Sequence, residues 1–206
     1  MKSKTILYVV GFLALLVILF SWSYIFPPKP AAPVATIPDP SALPGLQTAT
    51  APWQPEMANL ATRLRAIGLP ALPAEAFALH IHQHLDIFID GNPVDVPPQI
   101  GIASYFISPI HVHDDLHVIH VESPTVQTFT LGQFFDIWGV RLTANCIGGY
   151  CTDATHKLQV YSNGTLYSGD PRMLALDAHE EIAIVYGTSA EAPKSIPSSY
   201  AFPEGE

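Results

Sequence analysis

Hydrophobic and polar positions divide the chain into three stretches of different character. Residues 6–26 (ILYVVGFLALLVILFSWSYIF) form 21 consecutive positions without a charge. At 1.5 Å per residue a helix of that length crosses a hydrocarbon core of roughly 30 Å. Residues 27–55 hold nine prolines, which remove backbone donors and favour extended polyproline II, so this stretch reads as a stiff spacer. From residue 56 onward apolar positions recur with periods suited to packed structure. Met57, Leu60, Leu64 and Ile67 are spaced by three and four before Gly68, which predicts a short amphipathic helix. Residues 79–89 alternate almost strictly and end at Asp90-Gly91-Asn92-Pro93, a strand followed by a turn. Apolar runs at 100–107, 109–113 and 116–122, broken by Ser108-Pro109, Asp114-Asp115 and Ser123-Pro124, predict further short strands. Thr130 is placed to cap a helix through Leu131, Phe134, Phe135, Ile137 and Trp138, with Gly139 at its end. Asn163-Gly164 between residues 157–162 and 165–168 is a hairpin signal. Residues 181–187 read as a last buried strand, and the Pro/Ser-rich end as a loose tail.

The expected fold class is therefore α+β: a mostly antiparallel sheet with one or two short helices, preceded by a transmembrane helix. Lys2 and Lys4 precede the apolar run, so residues 1–5 are expected in the cytoplasm, with residues 6–26 as anchor and residues 27–55 as linker. A globular body at 56–190 and a tail at 191–206 then lie on the extracytoplasmic side. A cleaved signal peptide is the alternative; Ser21 and Ser23 are small enough for a cleavage site, but Trp22, Tyr24, Ile25 and Phe26 prolong the run. The chain carries 9 basic and 18 acidic residues for a net charge of −9, which argues against nucleic acid as a partner and suits cations. No phosphate loop, dinucleotide fingerprint or Ser-His-Asp order is present in the sequence.

Histidine placement is the main chemical signal: of nine histidines, seven fall between positions 80 and 120. On a strand side chains repeat every two residues, so His80, His82 and His84 share one face and Asp86 continues it. His111 and His113 repeat the arrangement on a second strand. Converging neutral imidazoles suit a transition metal, and with only three methionines in the chain zinc or copper(II) is expected rather than copper(I). His117 and His120 differ by three, so one regular strand turns only one of them toward the cluster, and both rank below the first five. Asp86, Asp114 and Glu122 are candidates either to complete the shell or to orient ring nitrogens. His156 and His179 read as ordinary. Three functions stay open: a metal-binding module, a metal-dependent enzyme with Asp114 or Glu122 as base, and a metal-free interaction or pH-sensing domain.

Cys146 and Cys151 enclose four residues, two of them glycine, and outside the cytoplasm are expected to form a disulfide that shapes a local loop. At HIHQHLDIFIDG, SPIHVHDDLHVIHVESP and FTLGQFFDIWGV the sequence resembles a group of bacterial and archaeal membrane-anchored, extracytoplasmic histidine-rich proteins. The likeness covers about residues 78–187. It implies the anchor and the histidine-rich body, and carries over no activity, cofactor or catalytic residue. His111-x-His113 followed by Glu122 is similar to the first cupin motif, but the glutamate stands too far along and no second motif follows.

Overall fold

The computed structural model describes residues 40–204. The expected cytoplasmic segment 1–5, the anchor 6–26 and the first part of the linker lie outside the described residues. No helix among the described residues is long and apolar enough to cross a membrane.

The elements in chain order are helix α1 (Leu60–Ala66), strands β1 (Leu79–Ile89), β2 (Asn92–Val94), β3 (Ile110–His111) and β4 (Val118–Ser123), helix α2 (Leu131–Trp138), then β5 (Cys146–Ile147), β6 (Tyr150–Cys151), β7 (Lys157–Ser162), β8 (Thr165–Leu166) and β9 (Glu180–Gly187). The main sheet runs β3-β4-β1-β9-β7-β8, with β2 also on β1. Strand β1 organises it. Its first half, Leu79 to His84, pairs antiparallel with β4, and its second half, Ile87 to Ile89, pairs with β2. Along its other edge it pairs with β9, the parallel exception in an otherwise antiparallel sheet. Both predicted tight turns form with left-handed central residues, Asp90-Gly91 (φ 49° and 77°) and Asn163-Gly164 (φ 49° and 74°), as the twist of a two-residue hairpin requires.

Alternation along β1 sends Leu85, Ile87 and Ile89 to a core face with Ile119, Val121, Ile182 and Ile184. Helix α2 packs on that core through Phe134, Phe135 and Trp138. Thr130 and Gln133 make a reciprocal capping box at its start, and Gly139 (φ 80°) ends it. Buried Asp136 and Arg172 form a two-pronged ion pair at 3.0 and 2.8 Å.

Three boundary expectations change. Residues 43–55 are not spacer: Leu43 and Trp53 are buried, and the Trp53 ring meets Trp138 edge-on at 6.0 Å. Buried Arg63 explains the attachment, donating to the Asp136 and Ile137 carbonyls at the end of α2, to the Pro44 carbonyl and to Glu56. That cation satisfies terminal carbonyls of α2 and holds the proline-rich segment to it. Glu56, engaged with Arg63 and Asn59, stands before α1, so the helix begins later than its apolar spacing suggested. Residues 191–206 are not wholly loose, because the Tyr200 ring lies parallel on His84 at 3.8 Å and Phe202 packs on His179 at 4.9 Å. The run at 100–107 is not a strand; it folds back through isolated bridges of Ile102 and Leu72 with Ile107. Cys146 and Cys151 are joined by a disulfide at the base of the β5–β6 ribbon, as expected.

Candidate metal centre

The face of β1 opposite the apolar core carries His80, His82, His84 and Asp86, as alternation dictates. Register then supplies what a single strand cannot. His82 stands opposite His120 on β4, and His120 stands opposite His111 on β3, so three imidazoles lie in one row across three strands. In the neighbouring row His80 stands opposite Glu122. His113, just past β3, folds back so that its ring meets those of His111 and His120 at 4.6 Å each.

Glu122 Oε1 sits at the middle of this group. It lies 3.4 Å from His80 Nε2, 3.5 Å from His120 Nδ1 and 3.8 Å from His111 Nε2. Nε2 of His111 and Nε2 of His113 are 3.0 Å apart. Donors of a tetrahedral ion with bonds of about 2.1 Å stand roughly 3.4 Å from one another, so the 3.4–3.8 Å separations around Glu122 suit a shared ion, while the 3.0 Å His111–His113 separation is that of a hydrogen bond. Two four-donor groups result, His80-His82-His120-Glu122 and His111-His113-His120-Glu122, with His120 and Glu122 common to both. They could hold a metal ion, since the ligand atoms of each group lie within 4.8 Å of one another.

The electrostatics favour a cation at this place. Burial, and then the neighbouring histidines, push His82 and His111 down to about 4 and His120 down to about 3. All three are therefore neutral near pH 7, with lone pairs available for a metal. His111 Nδ1 lies 2.9 Å from the Ser108 carbonyl, which only accepts, so Nδ1 carries the proton and Nε2 is the ligand atom. Burial raises the Glu122 carboxyl, and nearby Glu75 raises it further. Buried Glu122 Oε2 and His82 Nε2 have no hydrogen-bond partner. Such an atom costs about 1–3 kcal/mol, a cost that metal coordination removes. His80 and His113, about a third exposed, form the open rim. There Phe77 packs on His80 and Glu75 Oε1 lies 3.5 Å from His113 Nε2. Both residues also line a groove of about 450 Å³ that runs past Tyr105 and Phe106.

The remaining sequence candidates separate from this cluster. His84, Asp86 and His117 form a group of their own. Asp114 joins no group; its Oδ1 accepts from the Leu116 backbone N–H at 3.0 Å in an exposed turn. His120, ranked low from its spacing, is the central residue. His117 escapes the strand phase because its backbone is left-handed (φ 60°) just before β4 begins. His179 is less ordinary than its isolation suggested, since its backbone N–H donates to the His82 carbonyl at 2.7 Å and its charge bears on His82. His156 joins Asp90 and Glu191 at the surface, where its Nδ1 is engaged by Asp153. Glu75 and Glu181 escaped notice, the first in a proline-bounded loop and the second at the start of an apolar strand. For Glu181 the parallel pairing with His84 supplied the missing information. Comparison with protein-family models, with curated proteins and with solved structures finds no match to the chain.

Proposed function

We propose that this protein binds a transition-metal ion, zinc or copper, through His80, His82, His111, His113, His120 and Glu122. We further propose that the body is held on the extracytoplasmic side of a membrane by residues 6–26, as in the histidine-rich group that the sequence resembles. One observation carries the metal reading: six donors from three neighbouring strand segments meet in two groups that share His120 and Glu122. Imidazole nitrogens with one carboxylate suit zinc or copper(II), and the cysteines are already joined to each other. Extracytoplasmic placement rests on the apolar run and its flanking lysines, and a disulfide accords with an oxidising compartment.

Binding or delivery of the ion is the favoured use, because the donors outnumber the four that a closed zinc shell needs. A metal-dependent enzyme is the second reading, favoured by the groove that reaches the rim at Glu75 and Phe77. Elemental analysis of the full chain, purified without a metal-binding tag, tests the proposal. Near-stoichiometric zinc or copper is expected, with the metal held by the cluster lost on changing His82 and His113 together to alanine. Protein that carries no metal and takes none up would overturn it and leave a metal-free interaction domain as the better account.

A further inference from the structure

We propose a second metal site, separate from the cluster, in which His84, Asp86 and His117 hold a divalent first-row transition-metal ion. Two imidazoles and one carboxylate supply the donors, and Glu181 seats His84. The three ligand atoms lie within 4.8 Å of one another, and none of the three residues belongs to the two groups built on His120 and Glu122.

Backbone geometry gives the first argument. His117 adopts φ 60°, a left-handed conformation that costs a non-glycine residue about 1–2 kcal/mol. Regular alternation would turn position 117 away from the face that holds His120. With the left-handed backbone, the His117 ring instead lies nearly parallel to that of His84, 20° apart in plane, with centroids separated by 6.1 Å. That separation is wide for direct ring stacking; Tyr200, on the same His84 ring, lies at 3.8 Å. The His117 carbonyl accepts from the Leu85 backbone N–H at 3.1 Å, which anchors this turn, and an ion shared by the two imidazoles would add to that hold.

Buried polar groups give the second. His84 Nδ1 lies 2.8 Å from Glu181 Oε2, so Nδ1–H donates to the carboxylate and the ring's lone pair is fixed on Nε2. This is the carboxylate–histidine arrangement that orients a metal ligand and raises its basicity. Glu181 is 1% exposed, and burial raises its carboxyl, with Asp86 adding to the rise both as a like charge and through a side-chain hydrogen bond. A cation between His84 and Asp86 would face both carboxylates, Asp86 directly and Glu181 through the His84 ring. Three protein donors leave positions open, which suits ions that accept five or six ligands, such as iron(II), manganese(II) or nickel(II), as well as zinc.

The test is a zinc titration of the full chain against a competing chelator, with bound zinc counted by elemental analysis. His117→Gly removes the ligand while keeping a residue at ease in the left-handed region. It is expected to bind one zinc fewer than wild type, or that zinc at least tenfold more weakly, and to be no less heat-stable than wild type without metal. Asp86→Asn, which leaves the backbone untouched, should lose the same zinc. His120→Ala combined with Glu122→Gln should retain it, which separates this site from the cluster. Unchanged zinc number and affinity in both His117→Gly and Asp86→Asn would overturn the second site and leave the cluster standing; wild type that takes up neither zinc nor copper would overturn both.

Discussion

Three histidines kept neutral by the fold make the metal-free protein sensitive to mild acid. In an unfolded chain each imidazole takes up its proton near pH 6.5. In the folded protein His82 and His111 resist protonation down to about 4 and His120 down to about 3, because the fold buries them and sets them against one another. Between those limits the unfolded chain binds more protons, so stability falls as pH falls through the window from about 6.5 to about 4. Each fully shifted group contributes a slope of about 1.4 kcal/mol per pH unit. With the trio at full value near 4 kcal/mol per unit, discounting by about half for solvent at the open rim leaves about 2 kcal/mol per unit. Against a typical total of about 5–15 kcal/mol this is large. Glu122, Asp136, Glu180 and Glu181, all raised by burial, act in the opposite sense, since the folded state takes up their protons first. They largely cancel when wild type is compared with His120→Leu. The assay is urea unfolding by circular dichroism from pH 7.5 to 4 at constant ionic strength with chelator present. His120→Leu should flatten the slope by about a third, and zinc should move the loss of stability to lower pH. A His120→Leu variant whose stability falls between pH 7 and 5 as steeply as wild type, or a His120 ring that titrates near 6.5 by NMR in the folded state, would refute the reasoning.

Other expectations follow from single contacts. Glu122→Gln removes the carboxylate common to both donor groups, so metal affinity should fall at least 100-fold by calorimetry, with little loss of stability in the metal-free protein. Trp53→Ala should cost about 3–5 kcal/mol in chemical denaturation, because the ring is buried between Trp138 and Tyr150. For the same reason a fragment beginning at residue 56 should be markedly less stable than one beginning at residue 40. Asp136→Asn leaves the Arg172 guanidinium buried and poorly matched, and a loss of about 3–5 kcal/mol is expected in the same assay.

Periodicity made the local elements legible. The alternation of residues 79–89, the helix cap at Thr130 and the Asn163-Gly164 turn each appear in the structure where the sequence placed them. These features depend on neighbours within a few residues. The site was legible in composition but not in arrangement. That His80, His82 and His84 share a face follows from alternation, yet the division of the histidines between two places depends on register across β3, β4 and β1. His120 becomes central because it stands opposite both His82 and His111, which no spacing within residues 116–122 reveals. His117 leaves the strand phase through its own left-handed backbone, a conformation that histidine tolerates but that spacing alone does not reveal. The proline-rich segment misled for a related reason. Proline content describes how residues 43–55 travel, while Trp53 and the distant Arg63 determine that they pack.

The central claim is that metal sits among the strands at Glu122, and anomalous diffraction at the zinc edge from crystals of the zinc-loaded full chain tests it most directly. An anomalous peak is expected about 2 Å from Glu122 and from the ring nitrogen of His120, with His80 and His82 or His111 and His113 completing the shell. Zinc-loaded crystals with no peak within bonding distance of Glu122 or His120 would contradict it.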